Sequence, residues 1–301
     1  MSTATVVAPT GMRVWLLAAR PATLPAAVVP VLVGTAGALH GLHQFNAPVL
    51  IPTLLVALLI QVGTNFANDV FDFRRGADTA ARLGPLRVTQ GGLVSPGQVV
   101  VATYLTFGLA LLIGLYLVSV GGWPILVIGL LCLLAGLTYT GGPWPFGYHG
   151  LGDLACFIFF GVLAVLGTAY LHTLQITPLD VWASIPVGCL VTAILIVNNL
   201  RDIDTDRQTG KKTLAVYLGR RGTRIEYAIC VAIAYLMVLG IGLPGMVGPW
   251  WWLPLLSLPL GVWLVRYLAR TTGRPLNQAL KRTGQLHLLF GILFAAALWL
   301  G

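Results

Sequence analysis

The chain has 301 residues, of which 57% are hydrophobic and only 9% are charged. Soluble domains carry about 25% charged residues, so this composition excludes a soluble globular protein and indicates a membrane protein. The net charge of +9 does not indicate a nucleic-acid partner, because basic residues beside membrane spans orient them and face anionic lipid. We therefore expect the lipid bilayer as the surroundings, with no nucleic acid and no obligate protein partner.

Apolar stretches long enough to cross a hydrocarbon core of ~30 Å recur along the whole chain. We predict nine transmembrane helices. No polar stretch between them is long enough for a separate soluble domain, so we expect residues 1–301 to form a single domain. The predicted spans are residues 14–38, 48–68, 99–118, 123–140, 154–171, 182–200, 225–243, 250–268 and 286–301.

The basic residues predict the orientation of these spans. When the nine spans alternate in direction, all 18 Lys and Arg residues fall on one side. The positive-inside rule places that side and the N-terminus in the cytoplasm and the C-terminus outside. We expect a protein of a bacterial-type cytoplasmic (inner) membrane, with its active site toward the cytoplasm.

In chain order, the first polar feature is Arg20, inside the first span. It is either a cation that reaches the interface or a buried cation that faces a site. The end of the second span then presents oxygen ligands at i, i+3, i+4 and i+7, which share one helix face. These residues are Asn65, Asn68, Asp69 and Asp72, and they are followed by Asp78, Arg82 and Arg87.

The end of the sixth span repeats this construction. Asn198 and Asp202 have the same spacing of four as Asn65 and Asp69. We therefore expect two acidic modules that form the halves of one site. The other members of the second module are Asp206, the intervening Asp204, and the following cations Lys211 and Lys212.

The two modules hold six of the nine acidic residues of the chain. Each charge would cost ~2.5–3.5 kcal/mol at mid-bilayer, so these residues must line a wet cavity near the interface. Asp and Asn oxygens without His or Cys favour Mg²⁺, and the interleaved cations fit an anion bridged to the metal. This pattern favours a lipid diphosphate substrate over simple ion pairing at a solvated membrane edge.

The connection after the fourth span is rigid and aromatic, and it includes Tyr139, Tyr148 and Asp153. Tyr at the end of a span usually belongs to an interfacial belt, and contact with a substrate is the alternative. The four cysteines occur singly in apolar spans, so we expect neither a disulfide nor a zinc site.

These motifs resemble the UbiA superfamily of intramembrane aromatic prenyltransferases, whose hallmark is two Asp-rich motifs at the cytoplasmic ends of helices. The resemblance covers nearly the whole chain, and in detail it is closest to the naphthoate branch. The segments that carry it are ARPATLPAAVVPVLVG, NFANDVFDFRRGADT, RLGPLRVTQGGLVSP, GLGDLACFIFFGVLAVLGTAY and NNLRDIDTDRQTGKKTLAVYLG.

The resemblance implies nine helices in a bundle around a central cavity, and two Mg²⁺ ions held with the substrate diphosphate. Many members carry an Asp where this chain has Gly76, which leaves the role of Asp78 open. One Mg²⁺ would bind Asn65, Asp69 and Asp72, and the other Asp202 and Asp206, with the four aspartates as catalytic residues. The implied diphosphate ligands are Arg20, Arg82, Arg87 and Lys211, and further candidates are Asn68, Asp78, Asn198, Asp204, Lys212, Tyr139 and Asp153.

The implied reaction transfers a polyprenyl chain from polyprenyl diphosphate to 1,4-dihydroxy-2-naphthoate, with release of diphosphate and CO₂, and gives demethylmenaquinol for menaquinone biosynthesis. The nearest alternative is the same Mg²⁺-dependent transfer to another acceptor, such as 4-hydroxybenzoate, homogentisate or haem. A cation transporter is a more remote alternative, because intramembrane carboxylates often mark ion paths. Against it, these acids cluster on one side only.

Overall fold

The computed structural model describes residues 11–79 and 82–301, and within them helices are the only regular secondary structure apart from one isolated bridge between His149 and Lys212. Ten α-helices occur in the described ranges. The first half contains α1 (Met12–Ala19), α2 (Pro25–Leu42), α3 (Ala47–Arg74), α4 (Pro96–Thr138), α5 (Gly152–Cys156) and α6 (Ala164–Thr173). The second half contains α7 (Pro178–Gln208), α8 (Leu214–Gly242), α9 (Leu258–Arg270) and α10 (Leu276–Leu300).

Seven helical stretches in the described ranges are long and apolar enough to cross a membrane. One of them is the continuous run from α5 to α6, in which a π-helical segment, Phe157–Leu163, joins the two α-helices. The other six are α2, α3, α4, α7, α8 and α10. The chain is therefore an all-α membrane protein.

Helix α4 consists of two helices that meet at Gly122, where the backbone is left-handed (φ 68°, ψ −157°). A Cβ added to Gly136 would lie 3.0 Å from Cζ of Phe107. Residues on either side of Gly122 therefore face each other, and the two halves form an antiparallel hairpin. The break at Gly122 agrees with the prediction of separate spans at residues 99–118 and 123–140. When the two halves of α4 are counted separately, the α5–α6 run is counted once and α9 is included, nine helical segments occur from α2 to α10 in the described residues. This is the predicted number of helices, whereas seven helical stretches are candidate membrane spans.

The prediction of one continuous span at residues 14–38 is wrong. Helix α1 ends at Ala19, and Arg20 adopts a left-handed conformation (φ 52°) before a 3₁₀ turn, Pro21–Thr23. The cause is local, because proline disfavours the right-handed helical conformation at the residue before it. Helix α2 begins only at Pro25, so Arg20 lies at a break in the helix.

The predicted span at residues 250–268 is also different in the structure. A 3₁₀ turn, Leu253–Ser257, precedes the 13-residue α9. At 1.5 Å per residue, α9 is only ~20 Å long, shorter than a hydrocarbon core of ~30 Å. Pro254 supplies no backbone N–H, so a regular α-helix cannot bond through this position.

Helix α7 is the most deeply buried of the candidate spans. It begins with a capping box, in which the N–H of Asp180 donates to Thr177 Oγ1 at 3.3 Å and the N–H of Thr177 donates to Asp180 Oδ2 at 2.8 Å. Leu190, Ile196 and Leu200 are fully buried along it. This rigid central helix carries the second acidic module on its last turns.

Candidate active site

The two acidic modules meet at the C-terminal ends of α3 and α7. Asp72 lies in the last turn of α3, and Lys211 lies three residues beyond α7. Nζ of Lys211 is 3.3 Å from Oδ2 of Asp72, and Arg87 Nη2 lies at the same distance from that oxygen. The hydroxyl of Tyr148 donates to Oδ1 of Asp72 at 2.7 Å. Asp72 is therefore the point at which three chain segments converge.

Carboxylates at the C-terminal ends of helices require neighbouring cations to offset the negative charge there. The C-terminal end of a helix carries a partial negative charge, and Asp72 and Asp206 both lie in a last turn. Burial acts to lower the pKa of Lys211, but Asp72 and Asp206 outweigh it, so this pKa is raised above its ordinary value. Lys211 therefore remains charged between the two modules.

Asp78 adds a third carboxylate to this region. It forms ion pairs with Arg82 and, at 3.3 Å, with Nε of Arg87. Burial raises the pKa of Asp78 to about 6, and the neighbouring Arg82 acts to lower it. Arg87 therefore bridges Asp72 and Asp78, and it ties the loop after α3 to the end of that helix.

Asp69 is 1% exposed and anchors the same loop. Its Oδ1 accepts a hydrogen bond from the N–H of Thr89 at 2.9 Å, and its Oδ2 accepts one from the N–H of Val88 at 3.2 Å. Because both bonds go to backbone groups, they fix the main chain that continues from Arg87. Asp69 thus positions the loop in the described structure.

Asn65 fixes the broken start of the chain against α3. Its Nδ2 donates to the carbonyl oxygen of Ala19 at 2.9 Å and to Oγ1 of Thr23 at 3.1 Å. Nη2 of Arg20 lies 3.5 Å from the carbonyl oxygen of Asn65. Arg20 therefore reaches the first acidic module from the break between α1 and α2. Of the two predicted alternatives, this position fits the cation that faces a site.

In the second module, Asp202 is held by its neighbour Arg201. Nε and Nη2 of Arg201 donate to the two carboxylate oxygens at 2.8 and 2.6 Å, and Nη2 also donates to Asn198 Oδ1 at 2.8 Å. Asp206 is buried. The side chain of Asp204 is 62% exposed and pairs with Arg220 at 2.6 Å, so it lies away from the convergence at Asp72.

The remaining sequence candidates occupy different places. Oδ1 of Asn68 accepts a hydrogen bond from Thr140 at 3.0 Å. Tyr139 packs edge-on against Phe146 with ring centroids 5.4 Å apart. The N–H of Lys212 donates to the carbonyl oxygen of Tyr148 at 3.2 Å, and its side chain is exposed. Asp153 is buried at the start of α5, and its Oδ1 has no hydrogen-bond partner among the described residues.

A cavity of about 1200 Å³, including its open mouth, lies beside Asp72, and its wall combines charged and amide side chains with apolar ones; we call it the polar cavity. Cations from three segments reach it, and Tyr139 and the amide side chains of both modules also form its wall. The lining residues that sequence analysis selected are Arg20, Asn65, Asn68, Asp72, Arg87, Tyr139, Asn198 and Lys211.

An apolar cavity of about 990 Å³ adjoins the polar one. The two cavities share lining residues, among them Phe159 and Phe160 of the π-helical segment. The wall of the apolar cavity also includes four leucines of α4 with exposed side chains, Leu111, Leu115, Leu126 and Leu130. The two cavities together fit an amphiphile with an anionic head and a long apolar tail.

The donor set of the polar cavity fits Mg²⁺ held with a phosphate-bearing ligand. In the described ranges, no group of three or more His, Cys, Asp or Glu side chains is placed to hold a metal. Mg²⁺ does not require such a cage, because it is commonly held by one or two carboxylates together with waters and substrate phosphates. In the cavity wall, the carboxylate of Asp72 meets that description, with Arg87 and Lys211 beside it for the phosphate charge. Asp69, Asp202 and Asp206 are not among the residues that line the cavity.

Three groups have roles that the sequence pattern does not indicate. Tyr148 belongs to the aromatic connection after the fourth predicted span, and in the structure its hydroxyl donates to Asp72. Phe159 and Phe160 lie in an apolar run with no local pattern that marks a cavity wall. Asn277 accepts a hydrogen bond from Arg201 Nη1 at 2.8 Å, and nothing near it in the sequence indicates this contact.

Comparisons with known proteins agree with this architecture. The profile of the UbiA prenyltransferase family matches residues 27–289. The 1,4-dihydroxy-2-naphthoate octaprenyltransferase of Escherichia coli is 38% identical over 296 residues, which covers 96% of each chain.

Solved structures share the fold. The apo UbiA homologue from Aeropyrum pernix K1 superposes with a TM-score of 0.69 at 17% identity, covering 90% of this chain and 95% of that one. A UbiA homologue from Archaeoglobus fulgidus bound to GPP and Mg²⁺ has a TM-score of 0.64 at 15% identity, covering 96% and 100%. From the profile match and the sequence identity, the chain belongs to the UbiA prenyltransferase family.

Proposed function

We propose that this chain transfers a polyprenyl group from polyprenyl diphosphate to 1,4-dihydroxy-2-naphthoate, releasing diphosphate and CO₂ and forming demethylmenaquinol for menaquinone biosynthesis. The observation that carries the choice of acceptor is the 38% identity to the E. coli naphthoate octaprenyltransferase over 96% of both chains. The geometry supports the reaction type, because a cation-lined polar cavity adjoins an apolar one.

The diphosphate would bind in the polar cavity, where Arg87 and Lys211 already converge on Asp72. Arg20 and Arg82 are the further cations in reach of the acidic modules. Negative charge grows on the diphosphate as the carbon–oxygen bond breaks, so fixed positive groups around it stabilise the transition state more than the ground state.

We propose that two Mg²⁺ ions bind with the diphosphate, one at Asn65, Asp69 and Asp72 and the other at Asp202 and Asp206. The related A. fulgidus protein, which was solved with GPP and Mg²⁺, supports a role for this ion. When bound, Mg²⁺ supplies additional charge that stabilises the departing diphosphate oxygens. Asp69 and Asp202 can keep their present partners meanwhile, because an ionised carboxylate has about four acceptor sites.

The prenyl tail would occupy the apolar cavity, so that the reacting carbon lies near the residues shared by the two cavities. Phe159 and Phe160 there exclude water from an allylic cation. Attack on that cation from the naphthoate carbon that bears the carboxyl group, followed by loss of CO₂, restores the aromatic ring. The aromatic acceptor would enter from the polar side.

For the location, we propose a bacterial-type cytoplasmic membrane with both acidic modules on the cytoplasmic side. The support is the distribution of all 18 Lys and Arg residues on one side of the nine predicted spans. Alkaline phosphatase fusions test this orientation, since the enzyme is active only outside the cytoplasm. Fusion after residue 245 should be active and fusion after residue 210 inactive, and the reverse pattern would contradict it.

The test of the function is a product assay on purified protein in detergent. Reactions contain Mg²⁺, a polyprenyl diphosphate of one of several lengths, and 1,4-dihydroxy-2-naphthoate labelled at its carboxyl carbon. We expect a prenylated product and stoichiometric labelled CO₂. Parallel reactions with 4-hydroxybenzoate and homogentisate check the acceptor, and product from one of these but not from the naphthoate would overturn the proposal.

A further inference from the structure

Arg201 is 1% exposed, and its guanidinium is fully engaged by neighbouring side chains. Its Nε and one Nη hold Asp202 through two bonds, and the same Nη reaches Asn198. The other Nη donates to Oδ1 of Asn277 at 2.8 Å. The guanidinium of Arg201 therefore holds Asn198 and Asp202 of the second acidic module. Asn277 is the third residue that accepts a hydrogen bond from it.

Asn277 joins this module to a distant part of the chain. It lies on the first turn of α10, and while its Oδ1 accepts from Arg201, its Nδ2 donates to the carbonyl oxygen of Leu83 at 2.8 Å. One amide thus connects the second module to the loop that follows the first. Only a side chain that accepts and donates at once can make both contacts, and Asn does so.

Gly84 provides an independent sign that the loop is seated on Arg201. A Cβ added to Gly84 would lie 2.7 Å from Nη2 and 2.9 Å from Cζ of Arg201. The loop backbone therefore rests directly on the guanidinium, and any side chain at this position would force them apart. The close approach at Gly84 and the Asn277 hydrogen bond to Leu83 therefore involve adjacent residues of the loop.

The seated loop carries cations that the active site uses. Arg82 pairs with Asp78, and Arg87 pairs with Asp72 and Asp78. The loop is held at its far end by Asp69 through the N–H groups of Val88 and Thr89. The contact at Leu83 and Gly84 holds its near end, so residues 82–89 are fixed at both ends.

We propose that Asn277 is a positioning residue for prenyl transfer, which latches residues 82–89 onto the Arg201–Asp202 pair and so keeps Arg82, Arg87 and Asp202 in place around the diphosphate. This inference rests on the proposed function for its effect on turnover. The latch itself, as a structural contact, does not depend on which acceptor the enzyme uses.

The experiment compares Asn277→Ala, Asn277→Asp and Gly84→Ala with the wild type. The matched control is Gln278→Ala, the exposed next residue on α10. An Asp at position 277 still accepts from Arg201 but cannot donate to the carbonyl oxygen of Leu83. It therefore separates the two contacts of the latch, while Gly84→Ala disturbs the loop without touching α10.

For Asn277→Ala we expect kcat to fall about tenfold or more, the loss that follows from one hydrogen bond to a charged group. The Mg²⁺ concentration for half-maximal rate should rise, while KM for the aromatic acceptor stays within about twofold, because the latch holds only groups on the diphosphate side. A general loss of folded protein would lower kcat but leave the Mg²⁺ half-saturation unchanged. Asn277→Asp should fall between Asn277→Ala and wild type.

The second readout needs no activity. Metal-free protein is digested briefly with trypsin, and cleavage after Arg82 and Arg87 is measured by mass spectrometry against cleavage after the exposed Arg207. Asn277→Ala, Asn277→Asp and Gly84→Ala should all increase the relative cleavage at the loop, and Gln278→Ala should not. If Asn277→Ala does not fold, Asn277→Asp and Gly84→Ala still decide the result.

Unchanged loop cleavage in these variants, or an unchanged Mg²⁺ half-saturation in Asn277→Ala, would overturn the latch. If the wild type instead fails to prenylate 1,4-dihydroxy-2-naphthoate while loop cleavage changes as expected, the latch stands and the proposed acceptor falls. The two proposals therefore fail separately.

Discussion

The hydroxyl of Tyr148 offers the sharpest test of the convergence at Asp72. Tyr148→Phe removes a single oxygen, the donor of the 2.7 Å hydrogen bond to Asp72 Oδ1. The ring itself remains, and with it the contact to Lys211, whose Nζ lies 4.9 Å from the ring centroid. The substitution therefore perturbs the orientation of one carboxylate and leaves the charge around it unchanged.

The magnitude follows from the type of bond. A hydrogen bond to a charged group contributes about 1.5–3 kcal/mol, and every 1.36 kcal/mol corresponds to tenfold in rate. If Asp72 must keep this orientation in the transition state, kcat/KM for polyprenyl diphosphate should fall by about 10- to 150-fold. The KM of the aromatic acceptor should change little, because the lost hydroxyl bonds to Asp72, a proposed ligand of the Mg²⁺ held with the diphosphate.

Initial rates of product formation at saturating acceptor and varied polyprenyl diphosphate measure this effect. The control is Tyr104→Phe, since Tyr104 is 57% exposed on the outer surface of α4. We expect this variant to match the wild type. A kcat/KM for Tyr148→Phe within about twofold of wild type, which is under ~0.5 kcal/mol, would refute the view that the Tyr148–Asp72 bond organises the site.

Three further predictions test other parts of the structure. Asp69→Ala and Asp202→Ala should each abolish product formation while the protein still inserts into membranes; full activity of either variant would exclude its proposed role. Chelation with EDTA should stop the reaction and added Mg²⁺ should restore it, so turnover that persists after chelation would contradict a metal-dependent mechanism. Gly161→Ala should lower the Tm through overpacking of ~1–3 kcal/mol, because its Cβ would lie 2.3 Å from Gly188 Cα. Gly240→Ala, with no atom within 4 Å of the added Cβ, is the matched control, and equal Tm values would count against that packing argument.

The sequence predicted the features that depend on local periodicity. Asn65, Asp69 and Asp72 share one face of a helix because their spacing follows the helical repeat, and all three are buried in the structure. The repeated spacing in α7 predicted a shared site, and Lys211 does reach Asp72. Both inferences needed only the helical period and the cost of isolated charges in a membrane.

The sequence could not predict contacts that depend on tertiary packing. Asn277 meets Leu83 across 194 positions, and no spacing rule connects residues so far apart. Arg201 holds the adjacent Asp202, although neighbouring residues of a helix point in different directions. The contact forms because the long arginine side chain bends back toward the carboxylate. The π-helical segment, Phe157–Leu163, has no repeat that distinguishes it from an ordinary apolar helix.

Two boundary errors have a simple physical origin. Hydropathy does not detect the loss of helical hydrogen bonding at proline, so it predicts continuous spans at residues 14–38 and 250–268. The break at Arg20 is the more consequential of the two, because it turns a cation out of helix α1 and toward Asn65. A hydropathy profile shows such a position only as a minor dip.

The exposed leucines in the wall of the apolar cavity have a kinetic consequence. They place that cavity beside the surrounding hydrocarbon, so a long isoprenoid chain need not pass through water to enter it. Each methylene moved into water would cost ~0.8 kcal/mol, which makes arrival from bulk solution negligible for a chain of many carbons. Encounter is then two-dimensional, and the reaction rate follows the mole fraction of the substrate in the bilayer. Inert lipid added at a constant bulk concentration of substrate should therefore dilute the substrate in the bilayer and lower the reaction rate.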